Sequence, residues 1–405
     1  TFALDYYLPI VKQAEVLHQK YDVVVTNPPY MGSSGMDSKL SDFVKKNFPD
    51  SKSDLFAVFI EVCGRMAKKD SLYGMITQHA WMFLSSYENL RKKLLMTQEI
   101  VNMAHLGARA FEEIGGEVVQ TTSFVIRNAN IGGNGVYFRL VDSKDKEKDF
   151  VDNLKNSGGG RRFVANKNIF ETLPGNAFIY WLSEAMFAAF QKGTCLSEIA
   201  NPKQGLATGK NDQFVRLWYE VNREKSFYTA TDSIQAFYTG KKWFPYNKGG
   251  SFRKWYGNND CVVNWENNGK EICNNKDGNG KLLSRPQNTN YYFFESITWS
   301  KVASGPIAFR YKPSGHIFDV AGCSIFCEHD QLLYLLGAVN SKVVMELIKA
   351  VAPTLNYEVG QVAGVPIIVD TTENVKKVVI KNIDISKQEW DSFEESWDFK
   401  KHPLI

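Results

Sequence analysis

One junction constrains this chain more than any other. The segment Tyr21-Asp22-Val23-Val24-Val25 leads within one residue into Asn27-Pro28-Pro29-Tyr30. The run is β-branched and uninterrupted, the composition of a buried parallel strand. Proline donates no backbone hydrogen bond, so two in succession end the ladder and turn the chain out at the strand's carboxyl end. In open α/β sheets that edge is where ligands sit. The turn carries an amide side chain and a backbone carbonyl at one end and an aromatic ring at the other.

These groups suit one chemical problem. The exocyclic amino group of a nucleobase is a poor nucleophile, because its lone pair is delocalised into the ring. Asn27 Oδ1 and the Pro28 carbonyl can both accept its hydrogens and favour the tetrahedral nitrogen. Tyr30 can stack on a base flipped out of a duplex. Pro29 is mainly structural, fixing φ so that amide and ring converge. The alternative reading of the four letters is a Pro-Pro turn after a core strand. Neither a Ser/His/Asp arrangement nor a carboxylate pair for hydrolysis stands out.

The first 130 residues alternate helix and strand: helix 5–19, strands 21–25, 72–77, 100–106 and 118–126, and helices beginning at Asp54 and Tyr87. This predicts a parallel-dominated sheet flanked by helices. Asn128–Gly135 is a turn before a short strand to Val141, and 142–152 is a charged helical connector followed by the break 157–160. From about 165 to 370 the pattern is irregular and aromatic. It closes with a helix 330–338, a second helix through Val351 ended by Pro353, and an edge strand 365–369. The tail reads as a strand and then a helix near 389–397. The expected divisions are 1–130, a connector 131–165, a second domain 166–370, and the start of a further region 371–405. The fold class is α/β followed by a mixed α+β domain.

At 405 residues, 44% hydrophobic and 23% charged, this is an ordinary globular composition. No apolar run is long enough for a transmembrane helix, and no signal peptide is visible, so no membrane partner is expected. The six cysteines are scattered. Cys323 and Cys327 lie near His329 but lack a second pair, so reduced thiols in a cytoplasmic protein with no metal are expected. The net charge of +4 is unevenly placed: residues 203–312 hold 17 Lys and Arg against 9 Asp and Glu. A segment this basic and aromatic fits a nucleic-acid surface or a solvated basic face. Lys241, Lys242, Arg253 and Lys254 alternate with Trp and Tyr and suit phosphates. Arg285, Gln287 and Asn288 are the types that read base edges.

The tetrapeptide matches the Asn/Asp-Pro-Pro-Tyr/Phe signature of amino-methyltransferases. Longer blocks carry a more specific resemblance: Asn27–Gly32, Pro49–Phe56, Trp81–Ser86, Ala104–Phe111, Gly115–Thr122, Lys242–Gly250, Arg253–Asn258 and Ser284–Asn288. They resemble the PglX-type adenine-specific DNA methyltransferases of BREX phage-defence systems, over nearly the whole chain. The resemblance implies the C-terminal part of a Rossmann-like methyltransferase sheet in 1–130, then a target-recognition domain like those of type I and type II specificity modules. It implies site-specific N6-adenine methylation of duplex DNA from S-adenosylmethionine, with other phage-defence proteins as partners.

By the same resemblance Phe111 stacks on the far face of the flipped base; as a loop residue it is equally a core ring. Asp54 and Phe56 would wall the cofactor pocket; by local rules they are an N-cap and a core residue. Phe124 reads as core; His79 and Trp81, at the strand's carboxyl end, are placed to line the cleft or read as a packed Trp with a hydrogen-bonded His. The chain departs from the family in one respect: no glycine precedes Gly32, whereas the family's cofactor-holding Gly-rich loop precedes the Pro-Pro loop. An internal fragment without that motif is expected, inactive alone. A non-catalytic DNA-specificity or assembly module is the alternative; methylation of a protein glutamine shares the loop but not the basic aromatic domain.

Overall fold

The computed structural model describes residues 2–111, 119–156, 158–303, 305–352, 356–368 and 373–405. The expected features at Val118, Ser157, Pro353, Val369 and 371–372 lie outside these residues. Two compact units divide at Phe187 and Ala188.

The first unit is built on one six-stranded sheet. Its elements in chain order are α1 (Phe2–His18), β1 (Tyr21–Thr26), α2 (Ser38–Asn47), α3 (Leu55–Met66), β2 (Ala67–Gln78), α4 (Glu88–Thr97), β3 (Glu99–Gly107), β4 (Thr121–Arg127), β5 (Asn134–Arg139), α5 (Lys146–Lys155), β6 (Arg162–Asn166) and α6 (Lys167–Glu171). The strand order is β1-β2-β4-β3-β5-β6. β1–β2 and β3–β5 are parallel, while β2–β4, β3–β4 and β5–β6 are antiparallel. The sheet is therefore mixed rather than parallel-dominated. The reason is local: β4 begins beside the end of β3, with Thr121 opposite Gly107, so it must run back antiparallel between β3 and β2. β5 and β6 extend this sheet, so the stretch expected as a connector, 131–165, supplies strands to it.

β1 is parallel as expected, but it is not buried. Among the described residues it pairs only with β2, and Val23 and Val25 are 61% and 75% exposed. The core lies deeper, around Phe56, Tyr73, Met75, Trp81, Met103 and Phe124. Trp81 and Phe124 meet at 5.1 Å, and the Trp81 indole donates to Thr77 Oγ1 at 3.1 Å. Phe124 is thus core, as its strand neighbours require.

Helix α7 (Glu184–Lys192) runs through the division into the second unit. Beyond it come β7 (Thr194–Cys195), α8 (Leu196–Ile199), β8 (Asn201–Lys203), α9 (Asn211–Phe214), β9 (Val215–Leu217), α10 (Ser233–Tyr238), β10 (Trp243–Asn247), β11 (Cys261–Asn264), α11 (Glu266–Cys273), β12 (Ser296–Ser300), β13 (Phe309–Lys312), β14 (Ile317–Phe318) and β15 (Gly322–Phe326). The unit closes with α12 (His329–Val339), α13 (Lys342–Val351), α14 (Val359–Ala363), β16 (Pro366–Ile367) and α15 (Glu373–Trp390). Two four-stranded sheets, β14-β10-β11-β9 and β13-β12-β15-β8, and the pair β16-β7 frame it. An aromatic core of Phe214, Phe244, Tyr246, Trp265, Tyr292, Phe293, Phe318 and Phe326 fills the first of these sheets' packing.

The tail corrects two expectations. The described tail holds no strand, its β-branched run 375–380 lying in α15, and the helix expected near 389–397 ends at Trp390, with turns and bends over 391–397. The β-branched run misleads because its period is four: Val375 and Val379 seat on Gly337 of α12, where a methyl would lie 3.1 and 2.9 Å from them. Ile383 and Trp390 continue the buried face. Among the described residues no single helix is long and apolar enough to cross a membrane.

Candidate active site at the carboxyl edge of the first sheet

The Pro-Pro turn leaves β1 and is fastened to the start of α3. Asp54 has extended dihedrals and caps α3, its Oδ1 accepting from Phe56 N at 3.3 Å. The same oxygen accepts from Met31 N at 3.0 Å, and Leu55 N donates to the Met31 carbonyl at 3.1 Å. A bridge from Gly32 to Asp54 and a bond from Ser33 N to the Ser53 carbonyl complete the splice. One carboxylate therefore satisfies both a helix end and the exit of the motif loop, groups that would otherwise lose hydrogen bonds. Burial pushes the Asp54 carboxyl upward against these backbone donors.

Within the turn Pro28 is buried, while Asn27 and Pro29 are exposed. Tyr30 is half-buried, its ring edge-on to Phe56 at 6.0 Å, and Phe56 lies 5.9 Å from Tyr87. Tyr30 Oη points inward with no hydrogen-bond partner among the described residues, and burial followed by the Asp54 charge raises its pKa. Asn27 thus stands free at the rim on a loop that is fixed from behind.

Asp54 and Phe56 serve that fixing rather than an open pocket. Phe56 is 1% exposed behind Tyr30, so its face is closed to a cofactor ring. Asp54 Oδ1 is taken by two amides. These two residues do not by themselves fit S-adenosylmethionine. Among the described residues no group of three or more His, Cys, Asp or Glu is placed to hold a metal ion.

Phe111 is half-buried and follows β3 at the same edge, after left-handed Gly107 and Arg109. β1 and β3 are three strand spacings apart, roughly 14 Å, so the 107–111 loop must lean over the edge for Phe111 to face Tyr30 across a base.

The sequence reading missed His105. It faces inward on β3, whose buried positions 103, 105 and 107 alternate; that alternation was the available signal. His79 Nδ1 and His105 Nε2 are 2.7 Å apart, with Phe83 5.3 Å from His79 and Trp181 5.9 Å from His105. Burial lowers the His79 pKa to about 4 and drives that of His105 well down. Both rings are neutral at pH 7, one donating and one accepting. The unfolded chain takes up protons first as pH falls from about 6.5, so stability is whole above that value and lost toward pH 4. The slope is about 1.4 kcal/mol per pH unit for each ring. Urea midpoints of the wild type should fall more steeply from pH 7.5 to 5 than those of a His79→Gln, His105→Gln double variant. Parallel profiles would show that the pair carries no such proton linkage.

In the second unit the seven candidate DNA residues fall among three sets of neighbours. Lys241 donates to the Glu224 carbonyl at 2.5 Å, and Lys242 lies 5.8 Å over Trp243. Arg253 pairs with Glu389 at 2.5 Å and lies 4.9 Å over Trp390, while Lys254 donates to the Asn340 carbonyl, its pKa lowered by burial and then by Lys342. These two cations brace the α12–α13 turn and α15. Arg285 is exposed; the Gln287 and Asn288 amides donate to the carbonyls of Gly205 at 3.2 Å and Gln204 at 2.8 Å. Two more cations of the basic segment, Arg310 and Lys312, are fully buried, so the surface surplus is smaller than the sequence count.

Lys312 Nζ donates to the Gly257 carbonyl at 3.0 Å, to the Asn258 carbonyl at 2.8 Å and to Asn259 Oδ1. Arg310 reaches the Arg253 carbonyl at 3.4 Å and Ser300 Oγ at 3.3 Å, and Ser300 in turn donates to the Gly250 carbonyl at 2.9 Å. These bonds hold a loop with positive φ at Gly249, Gly250, Trp255, Gly257 and Asn258, a shape that side chains must impose at a non-glycine such as Trp255.

Comparison with known proteins follows the same division. Residues 5–111 match the family described as Eco57I restriction-modification methylase. The chain is 41% identical over 404 residues to the adenine-specific methyltransferase PglX of Lacticaseibacillus casei (strain Zhang), covering 98% of this chain and 33% of that protein. It is 40% identical to the adenine-specific methyltransferase BrxX of Escherichia coli O9:H4 (strain HS), covering 98% and 32%. Among solved structures, the type IIL restriction-modification enzyme MmeI in complex with DNA superposes with a TM-score of 0.55 at 11% identity, over 94% of this chain and 52% of that one. The ATP-dependent type ISP enzyme LlaBIII bound to DNA gives 0.52 at 11%, over 93% and 30%. At such identities they show the fold alone: a Rossmann-like methyltransferase sheet followed by a mixed α+β unit. The resemblance to the PglX-type adenine-specific methyltransferases is borne out along the chain, which spans about one third of the length of the curated relatives it matches.

Proposed function

We propose that this chain is the base-handling and DNA-recognising part of a site-specific N6-adenine DNA methyltransferase acting in phage defence. The observation that carries the proposal is the Asn27–Tyr30 turn, standing at the carboxyl end of β1 and spliced to α3 through Asp54. In this reading Asn27 Oδ1 and the Pro28 carbonyl accept the two hydrogens of an adenine amino group. The lone pair is then localised on nitrogen and aimed at the methyl donor. Tyr30 packs on the flipped ring, and Phe111 closes its other face. The gain comes from positioning and from acceptors fixed before the reaction.

S-adenosylmethionine is the proposed donor, supplying an electrophilic methyl group. Duplex DNA is the proposed partner, in line with the DNA complexes of MmeI and LlaBIII. Further phage-defence proteins and a cytoplasmic location belong to the same proposal; the six cysteines are free thiols. The test is mass spectrometry of duplex DNA incubated with the whole protein and S-adenosylmethionine. N6-methyladenine at one sequence context is expected, and its absence would sink the reading.

The 405 residues alone are expected to bind S-adenosylmethionine no tighter than millimolar, because Phe56 is closed off and Asp54 is engaged. Calorimetric titration with normal stoichiometry at low micromolar concentration would contradict this.

A further inference from the structure

We propose that α10 presents an apolar ridge, Ile234, Phe237 and Tyr238, that enters a groove of duplex DNA while Arg223, Lys225, Lys241 and Lys242 hold the flanking phosphates. The proposal rests on the reading of this chain as a duplex-binding protein and adds a surface that the sequence did not single out.

A six-residue helix does not persist on its own propensity. This one is fastened at both ends of its first turn. Asp232 Oδ1 accepts from Gln235 N at 2.7 Å, and Gln235 Oε1 accepts from Thr231 N at 2.7 Å. Ala236 turns into the aromatic core and is 2% exposed. The opposite side is apolar: Ile234 is 70% exposed, Phe237 45% and Tyr238 82%. Phe237 and Tyr238 meet edge to face at 5.6 Å. Three large apolar side chains held out to water on a capped turn mark a contact surface rather than scattered exposure.

The charges choose the occupant. Residues 223–227 lie along 241–243: Lys242 N donates to the Lys225 carbonyl at 2.9 Å, Phe227 N to the Trp243 carbonyl at 2.9 Å, and Lys241 Nζ to the Glu224 carbonyl. Four cations are thus gathered on the two segments that bracket α10. The two carboxylates on these stretches are Glu224 and Asp232, the second held ionised by the backbone donors it caps, so the cations outnumber them four to two. An apolar wedge flanked by cations suits a polyanion with an apolar interior. Duplex DNA, whose base steps accept such wedges at the cost of unstacking, has that chemistry.

The test uses the full chain and a fluorescent duplex across a salt series. A triple variant, Ile234→Ser, Phe237→Ser and Tyr238→Ser, should keep its melting temperature, since these side chains are exposed. It should lose about tenfold or more in affinity at every salt concentration, with the wild-type salt slope. Lys241→Gln with Lys242→Gln should instead flatten the slope by about 2, close to one per phosphate contact released. A triple variant that binds like the wild type overturns the ridge. So does one that changes only the mass measured by light scattering, which would assign the ridge to a protein surface. A wild type with no salt-dependent duplex binding overturns the DNA reading together with the ridge, and the wild-type arm separates the two failures.

Discussion

Asn27→Ala in the whole enzyme is expected to lower methyl transfer by about 10²–10³-fold, the usual loss when one preorganised group facing the reacting centre is removed. Duplex affinity should change little, because Asn27 stands at the rim on a loop whose fastenings are Met31, Gly32 and Ser33. The neighbouring tyrosine separates ring from hydroxyl. Tyr30→Ala removes stacking worth about 1–3 kcal/mol per base and should cost activity in that range. Tyr30→Phe removes an oxygen that has no partner among the described residues and should be neutral or slightly stabilising. Single-turnover methylation with DNA in excess of its Kd reads all three. Near wild-type transfer by Asn27→Ala would take the amide out of the chemistry; a Tyr30→Phe defect matching Tyr30→Ala would give the hydroxyl a role that the geometry does not show.

Lys312→Met is expected to be the most damaging single change in the second unit. It keeps length and volume but strips three hydrogen bonds, leaving two buried backbone carbonyls and Asn259 Oδ1 without a donor. Orphaned buried acceptors cost about 1–3 kcal/mol each, and three of them sit at this one buried site. The loop 249–258 should lose protection in hydrogen exchange before the sheets do. A shift in urea midpoint equivalent to less than about 1 kcal/mol would mean that the loop holds its left-handed residues without the lysine.

What the sequence revealed was local in origin. A β-branched run, two prolines, and an Asp three residues before a buried Ala57-Val58 pair specify a strand, a turn and a capped helix by short-range rules. Those rules located Asn27, Tyr30 and Asp54. They could not say that Asp54 would grip Met31, because that contact spans 23 residues. The placement of β4 between β2 and β3, and the meeting of His79 with His105, are likewise products of strand pairing at a distance. The strand expected in the tail is absent among the described residues: its β-branched run 375–380 favours a strand on average, whereas packing on Gly337 selects the helical period. Arg253 and Lys254 are phosphate ligands by type; that they also meet Glu389, Trp390 and Asn340, all remote in sequence, was not legible.

The open side of β1 has a consequence for handling the protein. A strand of three consecutive valines, paired among the described residues on one side only and with Val23 and Val25 turned to water, is a template for strand addition by another copy. These 405 residues in isolation should therefore aggregate through β1, with a rate that rises with concentration. Val23→Lys or Val25→Lys should suppress it by setting a charge where a second ladder would form. Colloidal behaviour, in this chain, is governed by the same strand that delivers Asn27 to the rim.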